Sequence, residues 1–246
     1  MGGIYRNPPL VEALCEFHFD ESRPWDVTVF GHYYDRVRDE FPDKRQQPQV
    51  AMSLQQNEGG VRGEFRDSGV RMQFLRPDRT AMVQLAAHLL VVNQLPPYRS
   101  WQAFKTLILM QLSNYLEIAP QQTVRQVGLR YINRFEFEAA SFSVARHLGL
   151  SDFLPARFRE ATAPFLLRVE MPQSQQERLV LTMGTIEIDQ LDRVAILLDL
   201  DHQSSTSEGF EVVALKETLE RAHQRIEDAF ESFLTDDLRH QFGKGG

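Results

Sequence analysis

Apolar and polar residues alternate through Leu10–Asp20. Val11, Ala13, Cys15, Phe17 and Phe19 lie on one side; Glu12, Leu14, Glu16, His18 and Asp20 lie on the other. A period of two describes a strand with one buried and one polar face. Ser22-Arg23-Pro24 predicts a helix start, with Pro24 in the first turn. Val27, Phe30, Tyr33, Tyr34, Val37 and Phe41 follow at helical spacing as one apolar stripe. Pro42 stops this helix, and Asp43–Gln49 reads as a polar loop. Val50–Leu54, Val61–Arg66 and Val70–Leu75 are short extended pieces. Glu58-Gly59-Gly60 and Asp67-Ser68-Gly69 separate them, so hairpins are expected. Pro77-Asp78-Arg79 turns the chain into a strand over Thr80–Asn93, and Pro96-Pro97 ends the strand region. Ser100 is the expected N-cap of a helix through Ile118 that shows Trp101, Phe104, Ile108, Leu112 and Tyr115 on one face.

The second half repeats this order. Val124–Phe137 is a long strand, and Ser141–Gly149 and Ser151–Arg159 read as short helices. Pro164–Met171, Arg178–Ile188 and Arg193–Asp201 are strands, followed by a polar linker over His202–Ser207. A long helix over Glu208–Leu234 repeats Val212, Leu215, Leu219, Ala222, Ile226, Ala229 and Phe233 at steps of three and four. That spacing fits packing across a sheet or a homodimer seam. Thr235 is placed to cap a last short turn that begins with Asp236 and Asp237.

In elements, the halves read β-α-ββββ-α and β-α-βββ-α. The expected fold class is α+β: a duplicated β-α-β(3-4)-α unit, residues 1–122 and 123–246, in one compact pseudo-symmetric domain. Side by side, the units would form a curved antiparallel sheet with helices on one face. Such a saddle is similar to TATA-binding-protein-like and helix-grip folds, a likeness of fold that carries no function.

Composition narrows the function classes. The 246 residues are 42% hydrophobic and 25% charged, ordinary for a globular chain. Cys15 is the only cysteine, which excludes an intramolecular disulfide and a cysteine zinc site. No apolar run reaches membrane-spanning length, and Met1–Leu10 lacks the pattern of a secretory signal, so a cytoplasmic setting is expected. The net charge of −7 disfavours a nucleic-acid partner. Residues 1–122 hold 13 basic and 14 acidic residues and residues 123–246 hold 14 and 20, so the second half carries nearly all of the excess. A basic group of Arg62, Arg66, Arg71, Arg76 and Arg79 is scattered by strand alternation over both faces and turns.

The candidate chemistry lies on the sheet face turned away from the helices. The first strand offers Glu12, Glu16, His18 and Asp20 there. The second-half strand sends Val127, Leu129, Tyr131 and Phe135 inward, and Gly128, Arg130, Ile132, Arg134 and Glu136 outward. If these two strands are neighbours, Glu12 and Glu16 face Arg130 and Arg134. Arginine forks hold polar or anionic groups in a bidentate way, and the same residues can also serve as a cross-strand ion-pair ladder. No catalytic residue, metal ligand set or cofactor motif is identified. The nearest approach to a metal site joins His18 with Asp199, Asp201 and His202, at a spacing that matches no ligand pattern. Cys15 alternates with Ala13 and Phe17, so it is expected to point into the core as an inert thiol.

The segment PPLVEALCEFHF at Pro8–Phe19 resembles the opening PP-x-VEA-x-CEF of an uncharacterised, sporadically distributed bacterial family. GLRYINRFEF at Gly128–Phe137 is similar to that family's midpoint, and AFESFLTDDLRHQFG from Ala229 is compatible with its C-terminal stretch. The resemblance implies no activity. It singles out Glu12, Cys15, Glu16, Arg130 and Asn133, and His18 stands where the family more often has Arg. The ligand-binding candidates are therefore Glu12, Glu16, His18, Arg130, Asn133 and Arg134. The expected function is a non-catalytic binding or adaptor protein for a peptide, a protein partner or a small polar ligand. The alternative is a small-molecule enzyme, or an accessory subunit of one, with a helix-grip-like cavity.

Overall fold

The computed structural model describes residues 5–57, 60–148, 164–190 and 192–243, and the side chains of all these except 48–68 and 145–146. The first half contains β1 (Leu10–Phe19), α1 (Val29–Val37), β2 (Asp43–Asn57), β3 (Gly60–Leu75), β4 (Ala81–Ala86), β5 (Leu89–Gln94) and α2 (Trp101–Ile118). The second contains β6 (Val124–Glu138), α3 (Val144–His147), β7 (Leu166–Pro172), β8 (Glu177–Ile186), β9 (Arg193–Ser205), α4 (Val212–Phe233) and α5 (Asp236–Gln241). The fold is α+β with one large curved antiparallel sheet of nine strands, in the order β2-β3-β4-β5-β1-β6-β9-β8-β7. β1 and β6 pair at the centre, with Ala13 opposite Tyr131 and Glu16 opposite Gly128.

Helices cover one sheet face. The core there joins Phe17, Leu129, Tyr131, Phe135, Leu198 and Leu200 of the central strands to Ile108 and Tyr115 of α2 and Leu219, Ile226 and Phe230 of α4. Full burial of one such side chain contributes about 1.5–3 kcal/mol, so this layer is the main source of stability. Leu219, Ala222 and Ile226 are fully buried within the chain. The centre of the α4 stripe therefore packs across the sheet, while Val212 at its start is exposed. No helix among the described residues is long and apolar enough to cross a membrane.

Local signals explain several boundaries. The Ser100 Oγ accepts the Ala103 N–H and starts α2, and the Thr235 Oγ1 accepts the Leu238 N–H and starts α5. Gly209, just before α4, has φ +99°, and a Cβ there would stand 2.2 Å from Thr123 Cγ2. Only glycine fits that approach.

Other expectations need correction. Asp43–Gln49 is the first part of β2 rather than a loop: Asp43 pairs with Leu75 and Gln47 with Arg71. An edge strand has one partner, so it tolerates a polar sequence. Asp67-Ser68-Gly69 is not a turn but a bulge inside β3, where Ser68 is the extra residue between Gln49–Gly69 and Val50–Asp67. Gly69 at φ +106° supplies the bend. Thr80–Asn93 is two strands, because the chain reverses at Ala87-His88 with His88 at φ 56°. Pro24 does not open a helix; α1 starts at Val29, and Val27 is exposed. The expected linker over His202–Ser207 is strand through Ser205. The expected helix over Ser151–Arg159 lies outside the described residues.

Candidate functional site

Strand alternation on β1 and β6 places Glu12, Glu16, His18, Arg130 and Arg134 on the uncovered face, and the register decides their partners. Leu14 stands opposite Arg130, Glu12 opposite Ile132 and Glu16 opposite Gly128. The carboxylates thus sit diagonal to the arginines, and each arginine takes a closer partner. Arg130 donates from Nε and Nη2 to the two carboxylate oxygens of Asp199 on β9, at 2.8 and 2.5 Å. Arg134 pairs with Glu136 on its own strand at 2.7 Å. Asn133 lies on the other face among the core side chains, fully buried between Tyr131 and Phe135 in sequence. Its Nδ2 reaches the Leu198 carbonyl at 3.5 Å, and its Oδ1 has no hydrogen-bond partner.

Sequence reading missed most of the polar residues that join this group. On the β5 side, the Asn93 Nδ2 donates to the Glu12 carboxylate at 2.6 Å, the Gln84 Nε2 donates to the Asn93 Oδ1, and the Gln73 Nε2 donates to the Gln84 Oε1. On the β9 side, Gln203 donates from Nε2 to the Asp201 carboxylate, and its Oε1 accepts from the Arg178 Nε. The row thus runs from β3 to β8. The alternation in Ala81–Ala86 and Leu89–Gln94 carries the signal for Gln84 and Asn93. Reading one strand across the reversal at His88 loses that parity.

The centre of the row is electrostatically tight. The His18 Nε2 is 3.6 Å from the Glu16 carboxylate. That contact, aided by the charges of His18, Arg130 and Arg71, holds Glu16 below its ordinary range against the effect of burial. Burial pushes Asp201 up, and the neighbouring Glu16 and Asp199 charges add to this, while Gln203 and Arg130 oppose it. The Asp199 contact keeps Arg130 firmly protonated. Gly128 forms the floor between the two strands: a Cβ there would lie 3.8 Å from Asp201 Oδ1 and 3.9 Å from Glu16 Oε2. The missing side chain leaves room about the size of a methyl group between two carboxylates, beside a guanidinium. Such a place offers acceptors and a donor to a polar group in a partly desolvated setting.

His202 stands on the helical face, its Nε2 3.0 Å from Arg225 Nη1, and so faces away from Asp199 and Asp201. Cys15 is fully buried, and its thiol is raised well above its ordinary range by burial and by Glu16.

Fold and site together define an α+β protein whose one antiparallel sheet has a helix-covered face and a second face where polar side chains surround the buried apolar Leu14, Val91 and Val180. No protein-family model and no curated protein matches the chain. Among solved structures the chain is similar to the crystal structure of the di-domain ARO/CYC StfQ from the steffimycin biosynthetic pathway. Sequence identity is 10%, the TM-score is 0.20, and the likeness covers 95% of this chain and 98% of that one.

Proposed function

We propose that this protein is a non-catalytic, cytoplasmic binding or adaptor protein that holds a peptide, a protein segment or a small polar ligand on the open face of its sheet. One observation carries the reading: carboxylate, amide and guanidinium groups form hydrogen-bonded rows on that face, one ending at Glu12 and one joining Arg178, Gln203 and Asp201, and Glu16 and Asp201 flank the bare Gly128 between them, beside the Arg130–Asp199 pair. A sheet face that only met water would gain little from such ordering, because exposed ion pairs contribute about 0–1 kcal/mol each. In this reading Glu16 and Asp201 accept from the ligand, while Arg130 donates and Glu12, His18 and Arg134 extend the contact along the strands. Asn133 acts from the core side by fixing β6 against β9. We further read the chain as a duplication of one unit, 1–122 and 123–246, since β5, β4, β3 and β2 follow outward from β1 as β9, β8 and β7 follow outward from β6.

Native mass spectrometry of untagged protein from its own host tests the site. The wild type is expected to carry a bound species that Glu16→Ala and Arg130→Ala lose while keeping native circular dichroism. A bound species retained by both folded variants, or a wild type that carries none and gains no mass from host extract, overturns the reading.

A further inference from the structure

We propose that the outer edge of β7 is a docking strand for a second copy of this chain, paired antiparallel across a two-fold axis centred on Val169. Among the described residues, β7 is a terminal strand of the sheet, bonded to β8 alone. Its ladder fixes which backbone groups are free. The Gln173 N–H donates to the Glu177 carbonyl at 2.8 Å, and the Thr185 N–H donates to the Phe165 carbonyl at 3.0 Å. The register between them is unbroken. In an antiparallel ladder the bonded pairs alternate. Leu167, Val169 and Met171 therefore bond toward β8, while Leu166, Arg168, Glu170 and Pro172 direct their backbone groups outward. Pro172, which has no N–H, occupies an outward position and costs the β8 ladder nothing.

The outward residues read as a self-complementary word. Pairing about Val169 sets Arg168 opposite Glu170 of the second copy, in both directions, and Leu166 opposite Pro172. The two charged pairs exchange four backbone hydrogen bonds, and each Leu166 N–H adds one to a Pro172 carbonyl. Leu166 is 78% exposed, the most exposed large apolar side chain among the described residues, and its contact with Pro172 would cover it. Arg168 bonds Glu170 of its own strand at 2.8 Å and both side chains are exposed, so a cross-copy exchange replaces that partner with the identical residue of the second copy. On the other face Leu167 meets Met171, two residues that already pack against the core. No other register about a two-fold axis on β7 opposes both charges while covering Leu166. Charged edge strands usually prevent pairing; here the outward charges match the same strand reversed.

Sedimentation of the full chain over a micromolar concentration series tests this. The wild type is expected to show a monomer–dimer equilibrium. Arg168→Glu, which opposes like charges twice, is expected to weaken it about tenfold or more. The double variant Arg168→Glu, Glu170→Arg restores complementarity and is expected to return dimerisation to within about threefold of wild type. Glu170→Pro removes an outward N–H, leaves the β8 ladder whole and is expected to abolish the dimer. A wild type monomeric throughout overturns the proposal. So does a dimer indifferent to both single variants, which places association on another surface. Loss without rescue by the double variant overturns the register.

Discussion

His202 lies under α4 beside Arg225, and His223 lies on α4, stacked on Trp101 at 4.2 Å and 3.3 Å from the Tyr131 hydroxyl. Burial pushes both imidazoles down from 6.5 to about 4. Both are neutral in the fold at pH 7, and both take up a proton more readily once unfolded. Their contribution is complete above pH 6.5 and is lost as pH falls toward 4. The chain is expected to show a falling urea midpoint between pH 6.5 and 5, before carboxylates such as Glu16 and Glu177 begin to protonate. His202→Gln is expected to remove roughly half of that slope; an unchanged slope contradicts the assignment. At this scale the sequence placed Glu12, Glu16, His18, Arg130 and Arg134 correctly on one face, because alternation depends only on parity. It could not supply partners, because a two-residue diagonal offset on β9 decides that Arg130 meets Asp199 rather than a glutamate on β1. Asn133 entered as a motif residue, and parity alone would have assigned it to the core.

Long, strongly periodic elements were legible because their pattern reports burial directly. α2 and α4 carry wide apolar stripes, and α2 begins at the expected cap. The edge hairpin was legible in part: the extended pieces on either side of Glu58-Gly59-Gly60 pair as expected, whereas the polar start of β2, Asp43–Gln47, owes its strand form to pairing with β3. Its Asp-Ser-Gly segment carries turn chemistry but forms a bulge, because the flanking residues pair on both sides of it. For α4 the central test is Ile226, fully buried against the sheet. Ile226→Ala is expected to cost about 2–5 kcal/mol in chemical unfolding without changing the association state. A smaller loss together with altered association would mean that the stripe also faces another chain.

The molecule as a whole has one core, and its two halves meet along β1 and β6. The first and last described segments close on the same core. The Asn7 N–H donates to the Phe242 carbonyl at 3.0 Å, and Phe242 stacks on Phe135 with ring centres 5.8 Å apart. Removing either half would bare a central strand edge and half of a shared apolar layer. Calorimetry is therefore expected to show one cooperative transition, with calorimetric and van't Hoff enthalpies equal. Two resolved transitions would instead mean that residues 1–122 and 123–246 fold as separate bodies. The charge of −7 is also clearer at this scale: the polar face pairs Arg130 with Asp199 and Arg134 with Glu136, so its character is mixed rather than acidic.

The central pairing also sets a schedule for synthesis. β1 emerges first, and its neighbour β5 follows within the same half, yet its other neighbour β6 begins only at Val124. At roughly 5–20 residues per second, one edge of β1 waits on the order of ten seconds for its partner. During that interval the ribosome displays a strand with an apolar side, Ala13, Cys15 and Phe17, and a row of unpaired amides. The stretch Glu12–Asp20 places an acidic residue at each end and Glu16 in the middle. Charges spaced in this way disfavour pairing of that edge with a second copy of the same strand, so the residues of the polar face bear on the half-made chain as well as on the finished one.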